Sequence, residues 1–221
     1  MGYGIIVRVT GPYALFTRPE MKVERVSYDF ITPSAARGIL EAVYWKPAIK
    51  WVIDKIHVLS TIQFTNIRRN EVSQKISTDN VTQAMKGGHA NLYISSNDSR
   101  QQRASMVLRD VDYIIEAHFD PVAARWGERD SQDSHYAIAL RRLRDGQHFH
   151  APCLGAREFP AKVELIEERT AIPKSVLTGE QDFGWMLYDL DFTNQRDIRP
   201  TFFHAQMEDG IVDLTHIEVR R

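Results

Sequence analysis

The order of predicted strands and amphipathic helices is the feature that most constrains how this chain folds. Apolar and polar residues alternate over residues 4–10, which predicts a strand with one buried face. A helix follows, with Thr32 as its N-cap and Pro33 in its first turn, and Pro47 ends it. The apolar stripe of this helix consists of Ala36, Ile39, Leu40 and Val43.

The rest of the chain continues this alternation. The pattern predicts strands over residues 50–59, 61–68, 110–119 and 160–168, with the second pairing with the first. A second amphipathic helix is expected in the segment SHYAIALRRLRDG, where Gly146 supplies the C-terminal stop. Its predicted buried stripe consists of Tyr136, Ala139, Leu140 and Leu143.

The resulting order approximates the split βαβ arrangement of the ferredoxin-like fold, as in RNA-recognition domains. We therefore expect an α+β chain with a ferredoxin-like domain over residues 1–169. A smaller antiparallel β region is expected over residues 170–221, with a hairpin that turns at Asp209-Gly210.

A polar segment interrupts this pattern at about residues 65–109. It contains seven basic and three acidic residues, and few large apolar side chains. Such a segment is expected to be a long basic loop, which suits a phosphate backbone. A solvated surface excursion explains the charge equally well.

Composition sets broad limits on the class of protein. With 43% hydrophobic and 26% charged residues the chain resembles an ordinary globular domain, and its net charge of -1 does not identify a partner. A single cysteine, Cys153, excludes an internal disulfide and favours a reducing, cytoplasmic setting. We expect no signal peptide, no membrane-spanning segment and no membrane partner.

Tyr44 is the first candidate for chemistry, because it lies where the first helix ends. A helical projection places it at the rim of the apolar stripe, on the same flank as Arg37. The hydroxyl would then reach solvent beside a guanidinium, which favours the ionised phenol and makes it useful in proton transfer. The alternative is a rim tyrosine that only covers the core.

His135 is the second candidate, because it follows Asp133-Ser134 in the first turn of the second helix. The free N–H groups and positive dipole of a helix N-terminus attract phosphate and favour a neutral imidazole. An ordinary surface histidine beside a helix cap is the alternative.

A neutral imidazole, a phenol and nearby arginines suffice for one reaction of RNA. The 2'-hydroxyl is deprotonated and attacks its own phosphodiester, which leaves a cyclic phosphate and a 5'-hydroxyl. This reaction needs no metal and no cofactor. We predict no metal site, because His148, His150 and Cys153 have a spacing that fits no standard zinc site.

Long motifs in the chain resemble a known family. The segment GPYALFTRPEMKVERVSYDFITPSAARGILEAVYWKPAIKW is similar to the N-terminal signature of CRISPR-associated protein family five, in its subtype I-C branch. The resemblance continues in order through IRRNEV, RQQRA, LRDVDYIIEAHF, HYAIALRRLRDG, PCLGAREFPAKVEL and MEDGIV, and so covers nearly the whole chain.

This resemblance implies a fold and an activity. The fold would be a ferredoxin-like N-terminal domain and a smaller β-sheet C-terminal region. The activity would be a metal-independent endoribonuclease that cuts the repeat hairpin of precursor CRISPR RNA. The protein would then stay on the 5' handle of the mature RNA, as a subunit of the Cascade surveillance complex beside its backbone and large subunits.

The resemblance also implies catalytic residues. The family's tyrosine falls on Tyr44 and its histidine on His135, whereas its lysine position holds Ser134. A serine donates only a neutral hydrogen bond, and losing one well-placed stabiliser commonly costs ~10²–10³ in rate. Either another cation replaces the lysine, or the enzyme is slow, or the chain binds RNA without cutting it. The candidate replacements are Arg37, Lys46 and Arg141.

Two further hypotheses concern partners. The chain can be a non-catalytic subunit that caps the 5' handle, and affinity for duplex DNA is an open alternative because a basic groove does not reject DNA on charge. The residues predicted to contact RNA are Arg37, Lys46, Arg68, Arg69, Arg103 and Arg141. Tyr13, Phe16 and Trp45 are candidate stacking faces or, equally, core residues.

Overall fold

A computed structural model describes residues 4–21, 23–194 and 196–221 of the chain. Within these ranges the helices are α1 (Pro33–Val43), α2 (Thr78–Met85) and α3 (Gln132–Arg144). The strands are β1 (Ile5–Ala14), β2 (Arg25–Val26), β3 (Ile49–Val58), β4 (Phe64–Val72), β5 (Arg100–Pro121), β6 (Lys162–Leu165), β7 (Glu180–Asp191), β8 (Arg199–Glu208), β9 (Ile211–Asp213) and β10 (Val219–Arg220).

The chain divides into two compact units, one formed by residues 1–65 and 106–221 and the other by residues 66–105. In the first unit the strand order is β10-β8-β9-β3-β5-β1-β6, with β2 on β5 and β7 on β8. The register pairs Val7 with Ile115 and Trp51 with Phe119, both antiparallel. The structure therefore confirms the expected α+β class, as a large antiparallel sheet combined with helices.

Local sequence signals explain where α1 and α3 begin and end. The side chain of Thr32 accepts a hydrogen bond from the Ala35 N–H at 3.3 Å, so it caps α1 as predicted. Ser131 caps α3 in the same way, through the Ser134 N–H at 3.1 Å. Gly146 has a φ of +63°, the left-handed conformation that ends a helix and favours glycine.

The second unit corrects two predictions. The sequence predicts a long basic loop at about residues 65–109, but this segment contains α2 together with most of β4 and part of β5. The strand predicted at 61–68 is β4, and it pairs with β5 rather than with β3. The local sequence predicts neither the secondary structure of this segment nor the pairing of β4 with β5. A polar segment does not specify which distant strand will complete its hydrogen bonds.

The predicted C-terminal hairpin is confirmed. Asp209 and Gly210 both have positive φ angles, 49° and 79°, which is the geometry of a tight two-residue turn between β8 and β9. Strand β9 also pairs with β3, through contacts such as Val212 with Ile56.

The subdomain boundary at residue 170 stays a prediction.

The two faces of the central strands differ in chemistry. Phe119 of β5 contacts Trp51 of β3, with ring centroids 5.4 Å apart. On the opposite face of β5 the buried carboxylate of Glu116 accepts a hydrogen bond from His57 at 2.8 Å and pairs with Arg169.

No α-helix within the described ranges is long and apolar enough to cross a membrane.

Candidate active site

Tyr44 lies at the C-terminal end of α1, where the chain leaves the helix. It is the C-cap residue, with an extended backbone (φ -148°, ψ 120°), and its N–H still donates to the Leu40 carbonyl at 2.8 Å. The indole N–H of Trp51 donates to the Tyr44 carbonyl at 2.8 Å. These contacts fix the backbone that directs the phenol.

The phenol of Tyr44 meets the imidazole of His135 in the interior of the first unit. The Tyr44 Oη and His135 Nδ1 atoms are 2.7 Å apart, and the two residues are 1% and 4% exposed. His135 lies in the first turns of α3, on the face that also buries Ala139 and Leu143. The structure therefore joins the two residues that the family resemblance selects.

The second nitrogen of His135 faces a carboxylate. His135 Nε2 lies 3.1 Å from Asp130 Oδ1, although it has no aligned hydrogen-bond partner among the residues described. The other oxygen of Asp130 accepts a hydrogen bond from the Gly127 N–H at 2.8 Å. Phenol, imidazole and carboxylate thus lie in series, with the carboxylate on the segment that precedes α3.

Aromatic rings enclose the imidazole. The Trp126 ring centroid is 5.4 Å from that of His135, and the Phe119 centroid is 6.3 Å away in an edge-on arrangement. Trp126 and Asp130 belong to the connection between β5 and α3, whose residues 127–129 are exposed. This connection, which we call the covering segment (residues 126–131), therefore lies against the imidazole through Trp126 and Asp130, while residues 127–129 are exposed.

Arg142 supplies the cation nearest to the phenol. Its Cζ lies 5.4 Å from the Tyr44 ring centroid, and its Nη1 donates to the Val43 carbonyl at 2.9 Å. Burial raises the pKa of the Tyr44 phenol, and the Asp130 carboxylate adds to this, whereas the Arg142 guanidinium opposes it. The phenol is consequently neutral at pH 7.

Two expectations about Tyr44 are therefore wrong. The hydroxyl does not reach solvent, and Arg37 does not lie beside it. Arg37 instead binds Glu41 at 2.6 Å and Asp189 at 2.9 Å. The helical projection failed because Tyr44 has left the helix, so the angle assigned to its side chain does not apply.

The other predicted site residues lie at the surface of their units. Ser134, Lys46 and Arg141 are exposed in the first unit. In the second unit Arg68 and Arg69 are exposed, whereas Arg103 is half-buried with its Nε 3.7 Å from Glu71 Oε2. Their roles in RNA binding stay predictions.

The candidate stacking faces separate into two groups. Phe16 is 3% exposed and belongs to the core, so its prediction as a stacking face is wrong. Tyr13 and Trp45 are 40% and 53% exposed. The structure thus retains two of the three candidates.

Sequence reasoning missed Asp130, Trp126 and Arg142 as neighbours of the imidazole. Arg142 had a detectable signal, because it follows His135 by seven residues and so lies on the same face of α3. Asp130 and Trp126 had none, since they lie in an aperiodic connection. No group of three or more His, Cys, Asp or Glu side chains that could hold a metal ion occurs in the part of the chain that is described.

This arrangement can hold and transfer protons. The Tyr44 phenol fixes the imidazole through Nδ1, and a base held through one nitrogen by a third group is the relation that positions a general base in many hydrolases. Because Tyr44 occupies Nδ1 from the core, Nε2 is the nitrogen that a substrate can reach. A substrate that reaches Nε2 has to displace Asp130.

Comparisons with known proteins give a family and two named relatives. A family model described as CRISPR-associated protein (Cas_Cas5) matches residues 4–215. The chain is 50% identical over 218 residues to a protein of Mannheimia succiniciproducens named CRISPR pre-crRNA endoribonuclease Cas5d, covering 97% of this chain and 96% of that one. A Thermus thermophilus protein of the same name is 37% identical over 225 residues, covering 94% and 90%.

Solved structures share the fold. One described as a CRISPR-associated protein aligns with a TM-score of 0.70 and 23% identity, covering 99% of this chain and 96% of that one. A functionally uncharacterized Streptococcus mutans protein aligns with a TM-score of 0.67 and 24% identity, covering 96% and 92%. A chain of a CRISPR RNA-guided surveillance complex aligns with a TM-score of 0.53 and 11% identity, covering 98% and 89%.

Proposed function

The chain belongs to the CRISPR-associated Cas5 family, and on that premise we propose that it is an endoribonuclease that cuts precursor CRISPR RNA. The observation that carries this proposal is the buried contact of 2.7 Å between Tyr44 Oη and His135 Nδ1. The two relatives above carry this activity in their names. The cut would fall in the repeat hairpin and need no metal.

The reaction would proceed by attack of the 2'-hydroxyl on the adjacent phosphodiester. His135 Nε2 would take the proton from the 2'-hydroxyl, and the 2'-oxygen would then bond to phosphorus. The bond from phosphorus to the 5'-oxygen would break, and that oxygen would take a proton from water, giving a 2',3'-cyclic phosphate and a 5'-hydroxyl. The Tyr44 oxygen would accept a hydrogen bond from Nδ1–H, which fixes the ring and leaves Nε2 without a proton, while burial keeps the phenol neutral.

Access of RNA to His135 would require movement of the covering segment. Asp130 and Trp126 lie on the Nε2 side of the ring, whereas Tyr44 holds the other side from the core. The exposure of residues 127–129 supports such movement at low cost. The charge that the family's lysine would supply would come from Arg141 or Lys46, which are exposed.

We also propose that the core is ferredoxin-like. The strands β1, β3, β5 and β6 are adjacent in the order β3-β5-β1-β6, with α1 between β1 and β3 and α3 between β5 and β6 in the chain. A split βαβ arrangement has this order. After cleavage the protein would stay on the 5' handle as a cytoplasmic Cascade subunit, in contact with the complex's backbone and large subunits.

A second candidate function is a non-catalytic subunit that caps the 5' handle. The observation that favours it is Ser134, an exposed residue at the family's lysine position. Duplex DNA binding would be compatible with either function, because phosphate contacts alone do not distinguish DNA from RNA.

One experiment separates these functions. The purified protein is incubated with its own labelled repeat RNA in excess EDTA, beside His135→Ala. We expect one cut that leaves a 2',3'-cyclic phosphate and that His135→Ala abolishes. Tight binding without any cut would overturn the enzyme proposal and leave the capping subunit.

A further inference from the structure

Phe149 has the most exposed large apolar side chain in the part of the chain that is described. It is 86% exposed, and Trp45 is 53% exposed. A phenylalanine side chain that stays in water is about 2 kcal/mol less favourable than one that is fully buried. A single exposed ring needs no explanation, but two rings at one place do.

Backbone contacts bring these two residues to one end of α1. The Phe149 N–H donates to the Ala42 carbonyl at 2.7 Å, in the last turn of α1. Trp45 follows the C-cap residue Tyr44 directly. Both residues therefore lie at the C-terminal end of α1, the same end from which the phenol of Tyr44 points toward His135. The hydrogen bond to Ala42 fixes the backbone of Phe149 at this position.

The residues that directly flank the two rings carry no carboxylate, and Asp145 is the first acid before Phe149. Residues 44–50 and 146–151 contain two lysines, two histidines and no carboxylate. Lys46, His148 and His150 are exposed beside the rings, and the ring centroids of Phe149 and His150 are 6.1 Å apart. Glu41, one turn earlier in α1, is bound by Arg37 at 2.6 Å.

We propose that Trp45 and Phe149 form a stacking site for an unpaired RNA base next to the Tyr44–His135 pair. This inference rests on the proposed function and specifies how the substrate is held. Single-stranded RNA is bound by aromatic faces set among cationic and hydrogen-bonding side chains. Stacking of one base on an aromatic ring contributes ~1–3 kcal/mol.

The local chemistry favours RNA over a protein subunit as the occupant. A stable protein interface requires a contiguous apolar patch, whereas the two segments that carry these rings also contain lysine, histidine and glutamine. A base uses a ring face and leaves its phosphate to a neighbouring cation, for which Lys46 is placed.

The test uses the whole chain in a His135→Ala background, which is expected to bind RNA without cutting it. Phe149 is changed to Ala, Leu or Tyr, and the probe is the repeat RNA with 2-aminopurine at each unpaired position in turn. Phe149→Tyr keeps an aromatic face, whereas Phe149→Leu keeps only apolar surface. Phe192→Ala, another exposed aromatic residue (56%), is the matched control.

We expect Phe149→Ala and Phe149→Leu to raise the Kd about 5- to 150-fold, the equivalent of one lost stacking contact. Phe149→Tyr should bind within about twofold of the parent, as Phe192→Ala should. The 2-aminopurine fluorescence at one position should be quenched by the parent and by Phe149→Tyr, but not by the Ala or Leu variants.

Three outcomes would overturn the inference. Equal affinity of all variants would show that no base stacks here, and full affinity of Phe149→Leu would show an apolar contact instead. Unchanged RNA binding with lost assembly into the complex would assign Phe149 to a protein interface. Absence of cleavage by the unmodified protein would contradict only the enzyme proposal. The stacking inference is tested by the Kd for RNA and by 2-aminopurine fluorescence, and neither measurement requires cleavage.

Discussion

Tyr44 Oη lies 2.7 Å from His135 Nδ1, a contact that joins the end of α1 to the first turns of α3 across 91 residues of sequence. Both side chains are almost completely buried. A buried hydrogen bond between a phenol and an imidazole fixes the ring orientation, and it leaves only Nε2 for a substrate.

Tyr44→Phe should slow RNA cleavage about 10²- to 10³-fold. The variant keeps the ring but removes the hydrogen bond to Nδ1, so the imidazole loses its fixed orientation. Stability should fall by only about 1 kcal/mol, which is measured by urea unfolding. Tyr113→Phe, which also removes a buried phenol oxygen, is the control and should cleave normally. Equal rates for the two variants would contradict the role of Tyr44.

Ser134→Lys should raise the cleavage rate about tenfold or more. Ser134 is exposed in the first turn of α3, so the longer side chain can be accommodated without repacking. The added ammonium would stabilise charge on the phosphate in the transition state. Ala137→Lys adds the same charge one turn further along α3 and should have little effect on the single-turnover rate. No difference between the two variants would show that position 134 does not face the scissile phosphate.

Asp130→Asn should raise kcat/KM for RNA about fivefold. The carboxylate lies 3.1 Å from His135 Nε2, where the RNA has to bind, and it repels phosphate by about 1 kcal/mol at such distances in water. The amide keeps the size and can still accept from the Gly127 N–H. A tenfold loss of kcat, with a displaced pH–rate profile, would instead show that Asp130 orients the imidazole during the reaction.

Glu116→Gln should destabilise the protein at neutral pH and flatten its acid unfolding. The hydrogen bond from His57 lowers the pKa of Glu116, burial opposes this, and Arg169 lowers it further. A carboxyl whose pKa is lowered by folding stabilises the protein above its ordinary pKa of 4.5, and this stabilisation is lost as the pH falls through the lower value. We expect a loss of about 1–3 kcal/mol at pH 7.

Urea unfolding between pH 7 and pH 3 measures this effect. Glu167→Gln removes an exposed carboxylate that pairs with Arg144, and the free energy of unfolding should not change in that control. A parallel pH dependence of Glu116→Gln and the unmodified protein would show that Glu116 does not couple folding to protons. Cleavage should be retained in both variants, because Glu116 lies on the face of β5 opposite Phe119.

Sequence alone determined the parts of this protein that depend on neighbouring residues. Thr32 and Pro33 begin α1, Gly146 ends α3, and Asp209-Gly210 turns the hairpin, because each feature follows from backbone conformation within one turn of chain. The family resemblance likewise selected Tyr44 and His135, as it rests on motifs and their order.

Only the tertiary structure decided what surrounds those two residues. The extended C-cap conformation of Tyr44 turns its ring inward, and the packing of α3 against α1 brings His135 and Arg142 to it. Asp130 and Trp126 reach the imidazole through an aperiodic connection that carries no sequence pattern. Such contacts depend on how distant elements pack, and neither helical periodicity nor local capping contains that information.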